Sequence, residues 1–394
     1  MLVVNERVNE GARDPRFLLA AAAAATGVST LPLYTVPLVV GALIDQRGYT
    51  PDEAGYLLTG EIFALSVTAL LLSPRIGALP WRQLVGIASV LVIVGNAASI
   101  FVSGAGSLLS SRMIAGVGGG MIFACGNAAL AASLDRARHY AKVLGFGVIS
   151  GSVGLAVLPF AIGAYGVPGA FGAVLAISLV LLPVVLLIPA RRTRVEMRVG
   201  ATDPAPSHAG VGVLIVLAAL ITSLGQGAFI AFVERMGLHT GLSATVVGQV
   251  LSITNVAGLL GAGFAAWLGV KAGYLWPIAA GILANGALIL LIAQTDDPWV
   301  YSIALFAELI SLFVFAPYQI SLGATLSPGG QWATAAAGTQ LLGSGLGPAV
   351  GGVVVASSSY ASIGWWVLAA NGAAILLYFI VYLLVPTLVR SVRA

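Results

Sequence analysis

Polar positions along this chain gather into short clusters, and the stretches between them are apolar for long enough to cross a hydrocarbon core. Such a core is about 30 Å thick and takes about 20 helical residues to span. Twelve runs of this kind are read, at 17–44, 54–74, 83–103, 105–133, 144–166, 168–190, 210–233, 243–269, 274–294, 298–322, 332–357 and 361–388. Prolines inside them (Pro32, Pro37, Pro159, Pro183, Pro317, Pro348) mark kinks and not ends, because in lipid the neighbouring helices can satisfy the freed backbone groups. The first run continues to about Ile44, longer than the roughly 7–15 residues of a secretory-signal core, so it is read as a helix retained in the mature chain. The longest polar interruption, 191–209 (RRTRVEMRVGATDPAPSHA), is read as a cytoplasmic linker between two six-helix bundles, 1–190 and 210–394.

Composition supports an all-α polytopic membrane protein. Hydrophobic residues make up 59% of the chain and charged residues only 8%, against about 25% charged in soluble domains. Mean hydropathy is +1.02. The abundance of glycine (50 residues) fits helices that pack closely in lipid, where small residues let backbones approach. With the N-terminus in the cytoplasm, nearly all basic residues outside the spans fall on the cytoplasmic side, Arg75, Arg82, Lys142 and the linker arginines among them. Only Arg47 and Arg235 fall opposite, which predicts cytoplasmic N- and C-termini in a bacterial-type inner (plasma) membrane. The net charge of +4 belongs to these loops and not to a nucleic-acid footprint. Cys125, the single cysteine, has no partner for an intrachain disulfide.

Between Gly104 and Ser133 the only charged residue is Arg112. An arginine at such depth costs about 2.5–3.5 kcal/mol on insertion scales, so it faces a bundle interior and has a partner. Gly116, Gly120, Phe123 and Asn127 share its helical face, and a basic loop, Asp135-Arg136-Ala137-Arg138, follows. An Arg-x-x-x-Gly helix in the fourth span, leading into a basic loop, resembles the fourth-helix signature of the major facilitator superfamily. Laying the chain over itself so that Phe123 falls on Phe315 also brings Asn127 onto Gln319, Leu134 onto Leu326 and Gly151 onto Gly343. That register is what two parallel repeats related by an axis along the membrane normal require. In the span 332–357, Gly343, Gly347, Pro348, Gly351 and Gly352 form G-x-x-x-G-P-x-x-G-G. This resembles the antiporter motif of the superfamily's exporters, although the family carries it in the fifth span and here it lies in the eleventh. The loop after the second span, Ser73 to Arg82, lacks the acidic residue the superfamily usually has there. The resemblance implies twelve helices in two halves, alternating access to a central site, and closest likeness to the proton-coupled exporters.

Glu308 is the most informative acid, about ten residues into its span with no basic residue near it in sequence. A carboxyl buried there can exchange its proton as a cavity opens, which makes it the first-choice proton carrier; Glu61 and Arg112, at similar depth in their spans, are the second choice, read either as a gate or as a buried ion pair. Ser311, Phe315 and Gln319 extend the Glu308 face. With Thr30, Tyr34, Phe123, Asn127, Gln226, Gln249, Ser252 and Asn255 they are the candidate lining of a mildly polar substrate cavity, while Gly116, Gly120 and the 343–352 motif residues are hinge or packing candidates. Glu234 and Arg235 are read as surface or gate residues. No G-x-x-x-x-G-K-[ST] loop exists, and His139, His208 and His239 stand far apart, so neither an ATP-driven pump, a metal site nor an enzyme is expected. The expectation is proton-coupled efflux of a small amphipathic or organic compound by a monomer that needs no cofactor beyond the proton gradient. Proton-coupled uptake of a small organic acid, with Arg112 as counter-ion, and a non-transporting membrane sensor are the alternatives.

Overall fold

The computed structural model describes residues 15–73, 75–76, 78–131, 136–188, 209–269, 273–326 and 331–385. They form eleven helices: α1 (Pro15–Arg47), α2 (Pro51–Leu72), α3 (Trp81–Phe101), α4 (Ala105–Ala131), α5 (Arg136–Val185), α6 (Ala209–His239), α7 (Ala244–Leu268), α8 (Leu275–Gln294), α9 (Pro298–Leu326), α10 (Gln331–Ser357) and α11 (Tyr360–Leu384). All eleven are long and apolar enough to cross a membrane. The linker 191–209 lies almost wholly outside the described residues, as do most of the basic positions that predicted the orientation.

That is one fewer than the twelve spans expected. The runs 144–166 and 168–190 are not separated by a loop but belong to α5, a trace of 50 residues interrupted only at Gly166, which has φ 67° and ψ −153°. Glycine reaches that backbone without strain, and Pro168 follows it. The trace doubles back there. A Cβ added to Gly27 of α1 would meet Phe146 and Ser150 from one arm of α5 and Leu181 from the other, each at 3.2 Å, whereas residues 150 and 181 of a straight helix would stand about 46 Å apart.

Short caps set the helix starts at one end of the bundle. The Thr50 hydroxyl accepts from the Glu53 N–H, the Glu53 carboxylate accepts from the Thr50 N–H at 3.0 Å, and Pro51 needs no partner for an N–H it lacks. Asp297 accepts from the N–H groups of Trp299 and Val300 at 2.7 and 3.0 Å to start α9. These caps belong to the face that holds the α1–α2, α3–α4, α6–α7, α8–α9 and α10–α11 turns, called here the turn face. Arg47 donates to the Val102 carbonyl at 2.7 Å across it, and Gln294 to that of Ala361 at 3.0 Å. Exposed Phe101, Tyr165 and Trp299 ring this face and exposed Trp267 and Trp276 the opposite one, as aromatic belts do at the two interfaces of a bilayer.

Between the helices that precede 189–208 (α1–α5) and those that follow (α6–α11), α10 is the tightest joint. Gly343, Gly347 and Gly351 turn one side of α10 onto the α6 backbone around Leu220, Gly227 and Ala228. Gly345 and Gly352 turn another side onto α2, at Ile62 and at Pro51-Asp52. Pro348 has no N–H to return to the chain, its carbonyl lies against Gly55 of α2, and the next N–H, that of Ala349, donates to the Thr59 hydroxyl at 3.0 Å. In α4, Gly116 and Gly120 face the Glu61 and Leu65 carbonyls of α2 in the same way. A side chain at Gly347 has only the Gly227-Ala228 backbone to push against. Gly347→Ala is therefore expected to cost about 1–3 kcal/mol through overpacking. Gly372→Ala in α11, where nothing lies within 4 Å, is expected to be neutral or to gain up to about 1 kcal/mol. Thermal midpoints of the two variants in one detergent check the contrast.

Candidate functional site

Two buried polar constellations are held by the helices, one within α1–α5 and one within α6–α11. In the first, Glu61 of α2 and Arg112 of α4 are both 2% exposed, and the Arg112 Nη1 lies 3.2 Å from both Glu61 carboxylate oxygens. The remaining donors of the guanidinium are also taken. Nε donates to the Ser99 hydroxyl at 2.9 Å, Nη2 to the Gly95 carbonyl at 3.1 Å and to Asn96 Oδ1 at 3.0 Å, all on α3. The Phe171 ring of α5 lies 4.6 Å from the guanidinium carbon, within cation–π range. A cavity of about 10 Å³ adjoins Glu61, Asn96 and Ser178, room for about one water molecule.

The second constellation has an acid and no cation. Glu308 of α9 is 0% exposed; its Oε1 accepts from Gln226 of α6 at 2.9 Å and from Asn285 of α8 at 2.7 Å. Asn285 also donates to Gln226 Oε1 at 3.3 Å, and Asn371 of α11 donates to Asn285 Oδ1 at 3.3 Å and to the Ile282 carbonyl at 3.1 Å. The second carboxyl oxygen, Oε2, is buried without a hydrogen-bond partner. Four helices thus hold one carboxyl with neutral amides, and nothing charged among the described residues balances it.

Beside the second constellation lies a cavity of about 200 Å³. Its walls are Leu33, Tyr34 and Pro37 of α1, Leu155 of α5, Gln226, Gly227 and Ile230 of α6, Leu251 and Asn255 of α7, Leu309, Leu312 and Phe313 of α9, and Ser344 of α10. These positions stand about 10–23 Å from the turn face at 1.5 Å per residue, a band that brackets mid-membrane. Of the lining candidates, Tyr34, Gln226 and Asn255 are in this wall. The other lining candidates are elsewhere. Thr30 and Phe123 line a separate cavity of about 20 Å³, and Asn127 donates to the Phe123 carbonyl at 2.9 Å. Ser252 donates to the Ser152 carbonyl of α5 at 2.8 Å. Gln249 is exposed on the outer side of α7, which corrects its place in the lining.

The α9 face needs the largest correction. Ser311 bonds back to the Glu308 carbonyl at 2.7 Å. Phe315 is core, packed where a Cβ on Gly281 of α8 would come within 2.7 Å of its own Cβ. Gln319 is 1% exposed, donates to the Thr222 hydroxyl at 3.2 Å and accepts from Gln340 at 2.9 Å. The polar stripe of α9 satisfies itself against α6, α8 and α10, and the apolar neighbours Leu309, Leu312 and Phe313 face the cavity instead. Sequence reasoning also passed over Asn96, Asn285 and Asn371. Their signal was available, since a lone amide inside an apolar span needs a partner in another helix.

Polar contacts between the two helix groups flank the cavity. Asn255 of α7 donates to the Val148 carbonyl and the Ser152 hydroxyl of α5, each at 3.0 Å. Nearer the turns, Arg235 of α6 grips both oxygens of Asp45 of α1 at 2.7 Å. Glu234 is not a surface residue but 4% exposed; its Oε2 is 3.0 Å from Arg235 Nε, yet neither atom forms a hydrogen bond. The Asp45 side chain is 55% exposed, so water screens its pairing. Asp45→Asn is expected to cost no more than about 1 kcal/mol, and a larger drop in unfolding free energy would show that the contact is better shielded than its exposure implies.

No family model matches this sequence, and no curated protein matches it. Solved structures do. A crystal structure of the nucleoside transporter NupG aligns over 93% of this chain and 99% of its own, with a TM-score of 0.69 at 12% identity. The D-xylose-proton symporter aligns over 92% of this chain and 97% of its own, with a TM-score of 0.71 at 15% identity. The chain shares its fold with these two transporters, and the likeness covers nearly all of each chain.

Proposed function

We propose that the chain is a proton-coupled secondary transporter whose two halves, 1–190 and 210–394, joined by the linker 191–209, rock about the central cavity and expose it to each side in turn. The α5 hairpin supplies the fifth and sixth of twelve crossings in this reading, and cytoplasmic termini make the turn face the outer one. One observation carries the coupling: Glu308 is wholly buried at mid-membrane, lacks a cation, and is one amide away from the cavity, because Gln226 both donates to it and lines the wall. Glu61 and Arg112 are satisfied by each other and by α3, which favours a structural role for them.

Export of a small amphipathic compound, in exchange for protons, is the leading direction. It is supported by the apolar cavity walls and by the G-x-x-x-G-P-x-x-G-G motif, which lies at the joint of α10 with α2 and α6. Proton-coupled uptake is the second reading, favoured by the likeness to a proton symporter. The variant in which Arg112 receives an organic acid loses support, since Arg112 has no free donor and is not in the cavity wall. The test is proton movement in sealed proteoliposomes under an imposed pH gradient, with lipophilic cations, neutral amphiphiles and small carboxylates added in turn. Solute-dependent proton flux is the expected result, and its sign separates exchange from co-transport. Solute flux that moves no protons would overturn the coupling, and no flux of any kind would overturn transport itself.

A further inference from the structure

The cavity wall contains no charged side chain. The buried Arg112 and Glu308 offer no charge to it, each for its own reason. Every Arg112 nitrogen is engaged by Glu61, Ser99, Gly95 or Asn96, so an anionic ligand finds no free cation. Glu308 is 0% exposed, and the only oxygen with partners is covered by the Gln226 and Asn285 amides, so a cationic ligand finds no open carboxylate. The other elements around Glu308 add nothing to pair with an ion: α8 and α10 carry no titratable residue, α6 carries Glu234, Arg235 and His239 more than two turns beyond Gln226, and α11 carries only tyrosines. An ion brought into such a space loses its hydration without gaining a counter-charge. Polar contacts are nevertheless present, from Gln226, Asn255, Tyr34 and Ser344, set among leucines and Phe313. The volume of about 200 Å³ is below the roughly 300–1,000 Å³ of pockets that hold drug-sized molecules.

We propose that the cavity takes an uncharged, hydrogen-bonding compound about the size of one substituted aromatic ring, with the Gln226 amide as its polar reader and the α1, α7 and α9 side chains as its apolar walls. The proposal rests on the reading of this cavity as the transport site and narrows it to a ligand class. Gln226 is suited to the role because its amide is fixed by Glu308 and Asn285 on one side and reaches the wall on the other. A ligand that bonds to it therefore touches the group that holds the carboxyl.

The experiment uses the full chain in nanodiscs with Cys125→Ala and Ser344→Cys, so that the only thiol is in the cavity wall, and follows its modification by a small methanethiosulfonate reagent at neutral pH. Three compounds of matched size compete: benzamide (uncharged), benzoate (anionic) and benzylammonium (cationic). Benzamide is expected to slow labelling at a concentration at least tenfold below that of either ion. Adding Gln226→Leu is expected to raise the half-protecting benzamide concentration at least tenfold, with protection taken relative to the labelling rate of the same variant without ligand. Protection by benzoate or benzylammonium at or below the benzamide concentration overturns the ligand class, as does no protection by benzamide. Unaltered benzamide protection in the Gln226→Leu protein, relative to its own rate without ligand, overturns the role of Gln226. Benzamide that protects yet accompanies no flux in proteoliposomes leaves the ligand class standing and removes the transport reading. An ion that protects and drives protons does the reverse.

Discussion

Replacing Arg112 alone with leucine is expected to remove about 3–5 kcal/mol of unfolding free energy, because it strands the Glu61 carboxylate in a site where both residues are 2% exposed. The loss has more than one source. Asn96 Oδ1 and the Gly95 carbonyl also lose a charged donor, and the Phe171 ring loses its cation. The double replacement Glu61→Gln with Arg112→Leu is expected to recover much of the loss, since a buried pair replaced by neutral groups of similar volume is often neutral or better. Unfolding of wild type, both single variants and the double variant in one detergent series gives the cycle. A strongly non-additive result is expected; single costs that simply add would mean that the two side chains do not act as a pair. Transport by the double variant then decides the role of the constellation, since a structural pair can be replaced by neutral groups with activity retained and a gate cannot.

Glu61 and Arg112 were legible in the sequence because two isolated charges at one depth in apolar spans have few other partners. Glu308 was legible for the same reason, and the apolar runs located every helix. The facing of the helices was not legible. In water, a polar stripe on a helix points to solvent, and periodicity finds the core by contrast. In a membrane the outside is apolar as well, so a polar stripe marks contact with another helix as readily as contact with a cavity. Hence Glu308, Ser311, Phe315 and Gln319 share a face, as the spacing implied, yet Phe315 and Gln319 are turned to α8, α6 and α10 while Leu309, Leu312 and Phe313 meet the cavity. Gln249 illustrates the reverse case, a polar residue close to a helix start at the turn face, where exposure costs little. The repeat register was similarly partial. It aligned α4 with α9 but could not tell that one carries a cation already neutralised and the other an acid left to amides.

That inequality makes Glu308→Gln the sharpest functional variant. The substitution keeps the shape of the side chain, and a carbonyl oxygen can still accept from Gln226 and Asn285 where Oε1 does now. The atom replaced by NH₂ is the one without a partner in the wild-type fold, so the change converts one unpartnered acceptor into an unpartnered donor, and stability is expected to move by no more than about 1–3 kcal/mol. Proton exchange, in contrast, is lost entirely, because an amide does not titrate. The variant is therefore expected to bind solute and let it equilibrate down its own gradient, but not to accumulate it against that gradient when a pH difference is imposed across proteoliposomes. Solute movement should become independent of the pH difference over the whole range in which wild type responds. Glu308→Asp is a useful companion. It keeps the titratable group but is one methylene shorter, which draws the carboxyl away from Gln226. It is expected to retain proton movement with weakened dependence on solute. Uphill accumulation by Glu308→Gln would remove Glu308 from the coupling path, and the remaining buried acids, Glu61 and Glu234, would then be the next carboxyls to replace.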